Sequence, residues 1–215
     1  MATTSIRSIV WSLFACAVLL LGCGPDLTSI APTGKTPISE LTAEPQPIVV
    51  EKPVQKPVQK PVNRRDLLQK IYTSQIGVRE ATGKNDGPEV EMYLRATNLG
   101  KGNPWCAAYV RWCLDSAGVE SRVTAWSPTA FNRRNPVYVD RQWIREGRHG
   151  DVFTLYYPKL ERIGHTGFVD KIYNDGTMMQ AVEGNTDGKS RDGDGVYLTF
   201  RPVKTIHNIS SWIYD

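Results

Sequence analysis

Apolar residues follow two different periods along this chain, and the change between them predicts its secondary structure. From Arg65 to Gly77 the apolar positions recur with the spacing of one helix face. The same spacing runs from Glu89 to Leu99, just before Gly100. A third helix is predicted to begin after Asn103 and to stop at Gly118. The first part of the domain is therefore expected to be helical.

Beyond Trp143 the pattern becomes that of short strands. The predicted strands are Asp151–Tyr156, Thr166–Tyr173, Thr177–Val182 and Val196–Arg201. Helices followed by antiparallel strands indicate an α+β fold, with the N-terminal helices packed on an antiparallel β-sheet. Residues 64–215 are numerous enough to form one domain with its own hydrophobic core.

The first residues have the pattern of an export signal. Arg7 supplies positive charge, and residues 9–21 are apolar apart from Ser12, a stretch too short to span a bilayer. The run Leu20-Leu21-Gly22-Cys23 resembles a bacterial lipobox, which predicts a signal peptide over residues 1–22 and fatty acylation, as with palmitate, of Cys23. An ordinary signal peptide cleaved nearby is the alternative. We expect an exported lipoprotein, anchored on the periplasmic or extracellular face of a membrane.

Residues 23–63 are predicted to be the lipidated cysteine and a tether. They contain a tandem repeat, Lys52-Pro53-Val54-Gln55, which recurs at Lys56-Pro57-Val58-Gln59 and in part at Lys60-Pro61-Val62. Proline at every fourth position forbids a helix and favours extended polyproline II. The segment is interpreted as a semi-rigid arm or, alternatively, a neutral spacer. The formal net charge of +4 is too small to indicate a nucleic-acid partner.

The cysteines point to a reactive thiol at the start of the third helix. Of the four cysteines, Cys16 leaves with the signal and Cys23 is taken by lipid. Cys106 and Cys113 are seven residues apart on one helix, roughly 10 Å, which is too far for a disulfide. With Asn103 as N-cap, Cys106 becomes about the third helical residue, where the macrodipole lowers a thiol pKa. The alternative is that Cys106, like Cys113, only packs in the core.

His165 is the histidine best placed to act with this thiol, because it opens a predicted strand of a hairpin. His149 and His207 lie in polar contexts without an obvious partner. A three-residue turn at residues 174–176 would pair Tyr173 with Thr177 and place Glu183 opposite Gly167, on the same face as His165. A two-residue turn would reverse that face. A catalytic role therefore requires the three-residue turn or an equivalent bulge.

Four linked motifs resemble the CHAP domains of bacterial and phage cell-wall hydrolases. They are Pro104-Trp105-Cys106-Ala107-Ala108-Tyr109-Val110, Gly150-Asp151-Val152-Phe153, Gly164-His165-Thr166-Gly167-Phe168-Val169 and Glu183-Gly184-Asn185. The resemblance implies a papain-like α+β cysteine hydrolase that cuts amide bonds in peptidoglycan. It implies Cys106 as nucleophile, His165 as base and acid, Glu183 as the group that orients the imidazole, and Asn185 as the fourth member. NlpC-type endopeptidases are the neighbouring alternative, ranked second because they usually carry Asp-Cys followed by a small residue and glycine.

The resemblance does not identify the bond that is cleaved. Two activities stay open, that of an N-acetylmuramoyl-L-alanine amidase and that of an endopeptidase. The alternative function is a non-catalytic wall-binding or inhibitory lipoprotein on the same fold. Trp105 and Trp126 are candidates for the substrate cleft, and Asp151 is interpreted as structural. No metal or other cofactor is expected, although residues 187–195 invite a calcium interpretation that lacks the EF-hand ligand order. We expect a monomer whose partners are peptidoglycan and, through the lipid, a membrane.

Overall fold

A computed structural model describes residues 62–188 and 192–214, and within them the predicted α+β class is confirmed. Three helices come first: α1 (Arg64–Ser74), α2 (Pro88–Arg95) and α3 (Cys106–Ser116). Among the described residues, no helix has the length and apolar character needed to cross a membrane. The predicted signal peptide, the lipobox and nearly all of the predicted tether lie outside the described residues.

Seven strands form one antiparallel sheet in the order β2-β1-β7-β3-β4-β5-β6. The strands are β1 (Pro136–Val139), β2 (Gln142–Trp143), β3 (Val152–Tyr157), β4 (Arg162–Tyr173), β5 (Met178–Thr186), β6 (Gly195–Pro202) and β7 (Asn208–Ser210). The four predicted strands correspond to β3, β4, β5 and β6. Strands β1, β2 and β7 were not predicted, because two to four residues are too few to show an alternating pattern.

Helix α3 lies at the centre of the domain because most of its surface is apolar. Its residues 106–110, together with Cys113 and Leu114, are buried, and the helix packs against β4 and β5. Helix α1 packs on the same core, where the Tyr72 ring stacks on Phe168 of β4 with centroids 4.8 Å apart. Burial of Cys113 confirms its predicted place in the core. The start of α3 is thereby held against the central strands.

The hairpin between β4 and β5 differs from the predicted one at its tip, and a bulge compensates for the difference. Tyr173 pairs with Met178 rather than with Thr177, so the predicted three-residue turn was wrong. The register then shifts by one residue between Val169 and Lys171, and Phe168 pairs with Val182. Continued along the strands, this register puts Gly167 opposite Glu183. The bulge thus restores the facing that the three-residue turn was expected to give.

A buried ion pair joins α1 to the sheet. The guanidinium of Arg65 lies 3.0 Å from the Asp151 carboxylate and donates to the carbonyl oxygen of His149 and the hydroxyl of Ser211. Both charged side chains are almost completely buried. Asp151 therefore has the structural role that its sequence context indicated.

Candidate active site

Cys106 is the first residue of α3, two positions earlier in the helix than predicted. Trp105 occupies the N-cap position, and the Asn103 side chain instead donates to the carbonyl oxygen of Gly100 at 2.9 Å. The prediction that Asn103 caps the helix was therefore wrong. Because Cys106 is the N1 residue, its amide is among the four N–H groups that have no partner within the helix. The thiol still lies at the positive end of the helix dipole.

Asn185 holds the backbone in front of Cys106 in place. Its side-chain oxygen accepts the Trp105 amide at 2.8 Å, and its side-chain nitrogen donates to Asn85 at 3.1 Å and to the Gly193 carbonyl at 3.0 Å. These three bonds use both N–H groups and one lone pair of the oxygen, and none of them goes to His165. The structure thus places Asn185 as a support for the helix start, whereas the resemblance implied a fourth catalytic residue.

His165 and Glu183 form a buried pair across β4 and β5. The imidazole Nε2 lies 2.8 Å from a Glu183 carboxylate oxygen, and the two side chains are 1% and 0% exposed. His165 was predicted to be the first residue of its strand. It is not, because β4 begins earlier, at Arg162. The sequence prediction that both side chains share one face is confirmed by this contact.

The second imidazole nitrogen, Nδ1, is left for the thiol. Nδ1 is buried and has no hydrogen-bond partner of good geometry within the described part of the chain. Cys106 is nevertheless close enough for hydrogen bonding and charge to couple the two groups. Burial lowers the pKa of His165, but the thiol and Glu183 outweigh burial and raise that pKa to about 9. His165 is therefore charged at neutral pH.

The same coupling acts on the thiol in the opposite direction. Burial alone raises the pKa of Cys106, but His165, the Ser127 hydroxyl and the Ala107 amide together bring that pKa below its ordinary value. The Ser127 oxygen lies 3.5 Å from the sulfur. Cys113, buried without such partners, has a pKa well above the ordinary value. The pKa values of the two cysteines on this helix are therefore shifted in opposite directions.

Glu183 is fixed by two side chains of β6 that the sequence did not single out. The Thr199 hydroxyl donates to one carboxylate oxygen, and Arg201 donates to both, Nε at 2.5 Å and Nη2 at 2.6 Å. Burial raises the pKa of Glu183, but His165 and Arg201 lower it to about 2. Both residues lie on the face of β6 that Glu183 shares, since Tyr197 pairs with Glu183 and side chains alternate. That alternation is the signal that could have identified them.

Two glycines let the backbone carry these groups so close together. A side chain on Gly167 would place its Cβ 2.8 Å from Glu183 Cγ. A side chain on Gly184 would place its Cβ 2.6 Å from the Trp105 ring. Glycine at position 167 allows β4 to approach the Glu183 side chain, and glycine at position 184 allows β5 to approach the start of α3.

A cavity of about 270 Å³ opens beside the thiol, lined among others by Cys106, Trp126, Ser127 and Arg162. Trp126 lines this cavity and is 56% exposed, so it stays a candidate for the substrate cleft. Trp105 does not, because it is fully buried and its indole N–H donates to Glu80 at 2.9 Å. The prediction that Trp105 lines the cleft was therefore wrong.

The other two histidines lie outside this site. His149 has a partner that the sequence did not reveal, the Asp66 carboxylate at 3.1 Å, and the His207 ring packs against Tyr156. Within residues 62–188 and 192–214, no three side chains of His, Cys, Asp or Glu form a group suited to a metal ion. Part of the loop with the calcium interpretation, residues 189–191, lies outside that range.

Comparison with known proteins gives a family match and similarities to solved structures, two of which follow. The family model of the CHAP domain matches residues 98–185. An NlpC/P60 family protein from Bacillus cereus ATCC 10987 is 12% identical with a TM-score of 0.40, over 72% of this chain and 42% of that one. A protein from Staphylococcus aureus subsp. aureus Mu50, described as similar to lipoprotein and of the NLP/P60 family, is 11% identical with a TM-score of 0.41, over 75% and 45%. This chain thus spans less than half the length of either.

No curated protein matches the sequence at a significant level. The family match includes the start of α3, the β4–β5 hairpin and the cleft between them. The resemblance to the CHAP domain is thus confirmed over residues 98–185, the segment that carries Cys106, His165, Glu183 and Asn185.

Proposed function

We propose that this protein is a cysteine hydrolase that cleaves amide bonds in peptidoglycan. The observation that supports this most is the Cys106 thiol at a helix start beside a buried His165–Glu183 pair, with its pKa lowered by the imidazole. An ordinary buried cysteine has no such neighbours, as Cys113 shows. The CHAP match supports peptidoglycan as the substrate class.

In the proposed first step the Cys106 thiolate attacks the carbonyl carbon of the amide. Negative charge then develops on the carbonyl oxygen, and the amide of Cys106 at the free end of α3 is placed to stabilise it. The Ser127 hydroxyl, already near the sulfur, is a second candidate donor. The protonated His165 gives its Nδ1 proton to the leaving amine, and a thioester remains on Cys106.

In the second step water hydrolyses the thioester, with neutral His165 as the base that takes the proton of the attacking water. Glu183 holds the ring by Nε2 throughout, which keeps Nδ1 directed to the thiol and stabilises the imidazolium. The hydrogen bond between His165 Nδ1 and the Cys106 sulfur is expected to form fully when substrate binds. This mechanism uses only side chains and water, so we propose no cofactor.

We further propose that the enzyme acts outside the cytoplasm, attached to a membrane through lipid on Cys23. The support is the signal pattern and lipobox of the sequence. We propose a monomer whose lipid is bound to a membrane and whose domain is bound to peptidoglycan. The proline-rich segment between Cys23 and the domain would connect the two. The bond that is cut is either the N-acetylmuramoyl-L-alanine amide or a bond within the stem peptide.

The test is hydrolysis of purified sacculi, with the released muropeptides identified by mass spectrometry. Wild-type protein is expected to release fragments with one new amine end, which also identifies the bond. Cys106→Ala is expected to abolish release while the protein stays folded, and Cys113→Ala serves as the control for loss of a thiol. Full activity of Cys106→Ala would disprove the assignment. Binding without release by the wild type would instead favour the non-catalytic lipoprotein.

A further inference from the structure

A second cavity, of about 490 Å³, shares Trp126 with the cavity beside the thiol. We call it the arginine groove and define it by Arg122, Arg133, Arg134, Trp126, Phe131 and Tyr214, which line it. Trp126 lines both cavities, and the next residue, Ser127, touches the Cys106 sulfur. A polymer lying across Trp126 would therefore reach the groove and the thiol at once.

The charge of the groove is all of one sign. It is lined by three arginines and no aspartate or glutamate. All three are exposed, and no ion pair is formed by them within the part of the chain that the structure describes. Nearby Arg111, by contrast, is paired with Asp115 at 2.6 Å. Like charges around one cavity repel each other, so an anion bound between them is stabilised.

Aromatic side chains also line the groove, and one of them, Tyr214, is held in position by a hydrogen bond. The Tyr214 hydroxyl accepts a hydrogen bond from Asn132 at 3.0 Å, and the amide nitrogen of Asn132 also donates to the Ser211 carbonyl at 2.7 Å. Trp126 and Tyr214 are 56% and 66% exposed. Exposed rings beside cations suit a ligand that combines apolar faces with carboxylates.

We propose that the arginine groove binds the carboxylate groups of peptidoglycan stem peptides while an amide of the same polymer lies at Cys106. The inference rests on the proposed function and makes it more specific, because it assigns recognition of substrate charge to three residues outside the catalytic group. Stem peptides are the part of peptidoglycan that carries carboxylates next to amides. A neutral polymer would gain nothing from this groove.

The experiment measures binding of full-length Cys106→Ala protein to sacculi freed of attached anionic polymers, so that no turnover occurs and no phosphate is present. The further changes Arg122→Gln, Arg133→Gln and Arg134→Gln are expected to weaken binding about tenfold, the effect of a few exposed charge pairs. The difference should shrink as salt is added. Sacculi with carboxylates converted to amides should bind the parent as weakly as untreated sacculi bind the triple variant.

The matched control removes three exposed charges that do not line the groove, by Arg95→Gln, Arg141→Gln and Lys204→Gln, and should bind like the parent. Equal binding by the parent and the groove variant would overturn the proposal. The proposal would also be overturned if the groove variant lost as much binding on amidated sacculi as on untreated ones. It would be overturned as well if, with vesicles of anionic phospholipid as a second probe, only binding to the vesicles were weakened. Hydrolysis of sacculi by the wild type is measured separately, so failure of the groove is distinguished from failure of the proposed function.

Discussion

At the scale of residues, the site is a row of four ionisable side chains, from Cys106 through His165 and Glu183 to Arg201. In the form that the proposed mechanism requires, they are a thiolate, an imidazolium, a carboxylate and a guanidinium, so their charges alternate. The row as a whole is neutral, which makes its burial tolerable. Without Arg201 the three buried members would carry a net negative charge. Arg201 is therefore a positioning residue for Glu183 and, through it, for the imidazole.

Replacing Arg201 is predicted to weaken both stability and activity. Arg201→Gln leaves the buried Glu183 carboxylate without its bidentate partner, which should cost about 3 kcal/mol in the free energy of unfolding. Arg201→Lys keeps the charge but not the two parallel hydrogen bonds, so an intermediate loss is expected. Denaturant unfolding and kcat measure the two effects, with Lys204→Gln as a control for loss of a nearby charge.

The pH dependence of stability gives a second measure of the same change. The folded-state pKa of Glu183, about 2, is below its ordinary value. Its contribution to stability is thus present above about pH 4.3 and is lost as the pH falls towards 2. Since Arg201 is one cause of the low pKa, Arg201→Gln should lose this contribution at a higher pH. If the free energy of unfolding of Arg201→Gln fell over the same acidic pH range as that of the wild type, the role of Arg201 in holding Glu183 would be contradicted.

The rate of hydrolysis is predicted to have two limbs set by the thiol and the imidazole. The active form needs a thiolate and an imidazolium, so kcat/KM should rise as the Cys106 thiol ionises, below its ordinary pKa, and fall as His165 loses its proton near pH 9. Ser127→Ala removes one cause of the low thiol pKa and should move only the rising limb, to higher pH. Labelling of Cys106 with iodoacetamide across pH checks the rising limb independently. A shift of the falling limb in Ser127→Ala would contradict the assignment of the two limbs to the thiol and the imidazole.

At the scale of elements, the contact between His165 and Glu183 depends on the bulge in β4. If the register at the hairpin tip continued unchanged, Glu183 would lie opposite Phe168 and face away from His165. The extra residue is Asp170, and its carboxylate accepts hydrogen bonds from Gln69 and from the Tyr72 hydroxyl of α1, both at 2.9 Å. Helix α1 thus fixes the bulge, and the bulge makes the His165 and Glu183 side chains share one face of the sheet.

Asp170→Ala is predicted to loosen this arrangement from a distance. Loss of two hydrogen bonds to a carboxylate should cost about 2 kcal/mol of stability. It should also lower kcat, because the imidazole is held less firmly by Glu183. Asp175→Asn, at the tip of the same hairpin, removes a charge that contacts no element of the site. Because asparagine also tolerates the left-handed backbone of this position (φ 53°), the change should leave both quantities unchanged. Full kcat in Asp170→Ala would show that the register does not depend on these contacts.

Much of this element structure could be predicted from the sequence, and the exceptions have physical causes. Periodicity identified the three helices, and short runs of strand-forming residues identified β3 to β6, although β3, β4 and β5 are buried over consecutive residues rather than on one face only. The start of α3 was misplaced, since the Trp105 amide is satisfied by Asn185, 80 residues away in sequence, and local capping rules cannot see such a partner. Arg201 was missed for the same reason, because its contact with Glu183 exists only after β5 and β6 have paired.

At the scale of the whole molecule, the domain brings together groups from three distant parts of the chain. The thiol comes from a helix, the imidazole and carboxylate from a hairpin, and the arginine groove from the segment after α3 together with the last residues, such as Tyr214. The motifs predicted the first two, because each motif lies within one element. The groove could not be predicted, since its arginines and Tyr214 are about 80 residues apart and meet only in the folded domain.

The last prediction concerns the relation between this domain and the N-terminal segment. If Cys23 is the lipidated residue, Cys23→Ser should abolish incorporation of radiolabelled palmitate and move the protein from the membrane fraction to the soluble fraction, because each buried acyl methylene contributes about 0.8 kcal/mol to anchoring. Cys16→Ser, inside the predicted signal, is the matched control and should change neither. Hydrolysis of isolated sacculi by Cys23→Ser should equal that of the wild type, since the groups proposed for catalysis all lie in residues 98–201. Palmitate incorporation that persists in Cys23→Ser would refute the lipobox assignment and leave the proposed chemistry at Cys106 untouched.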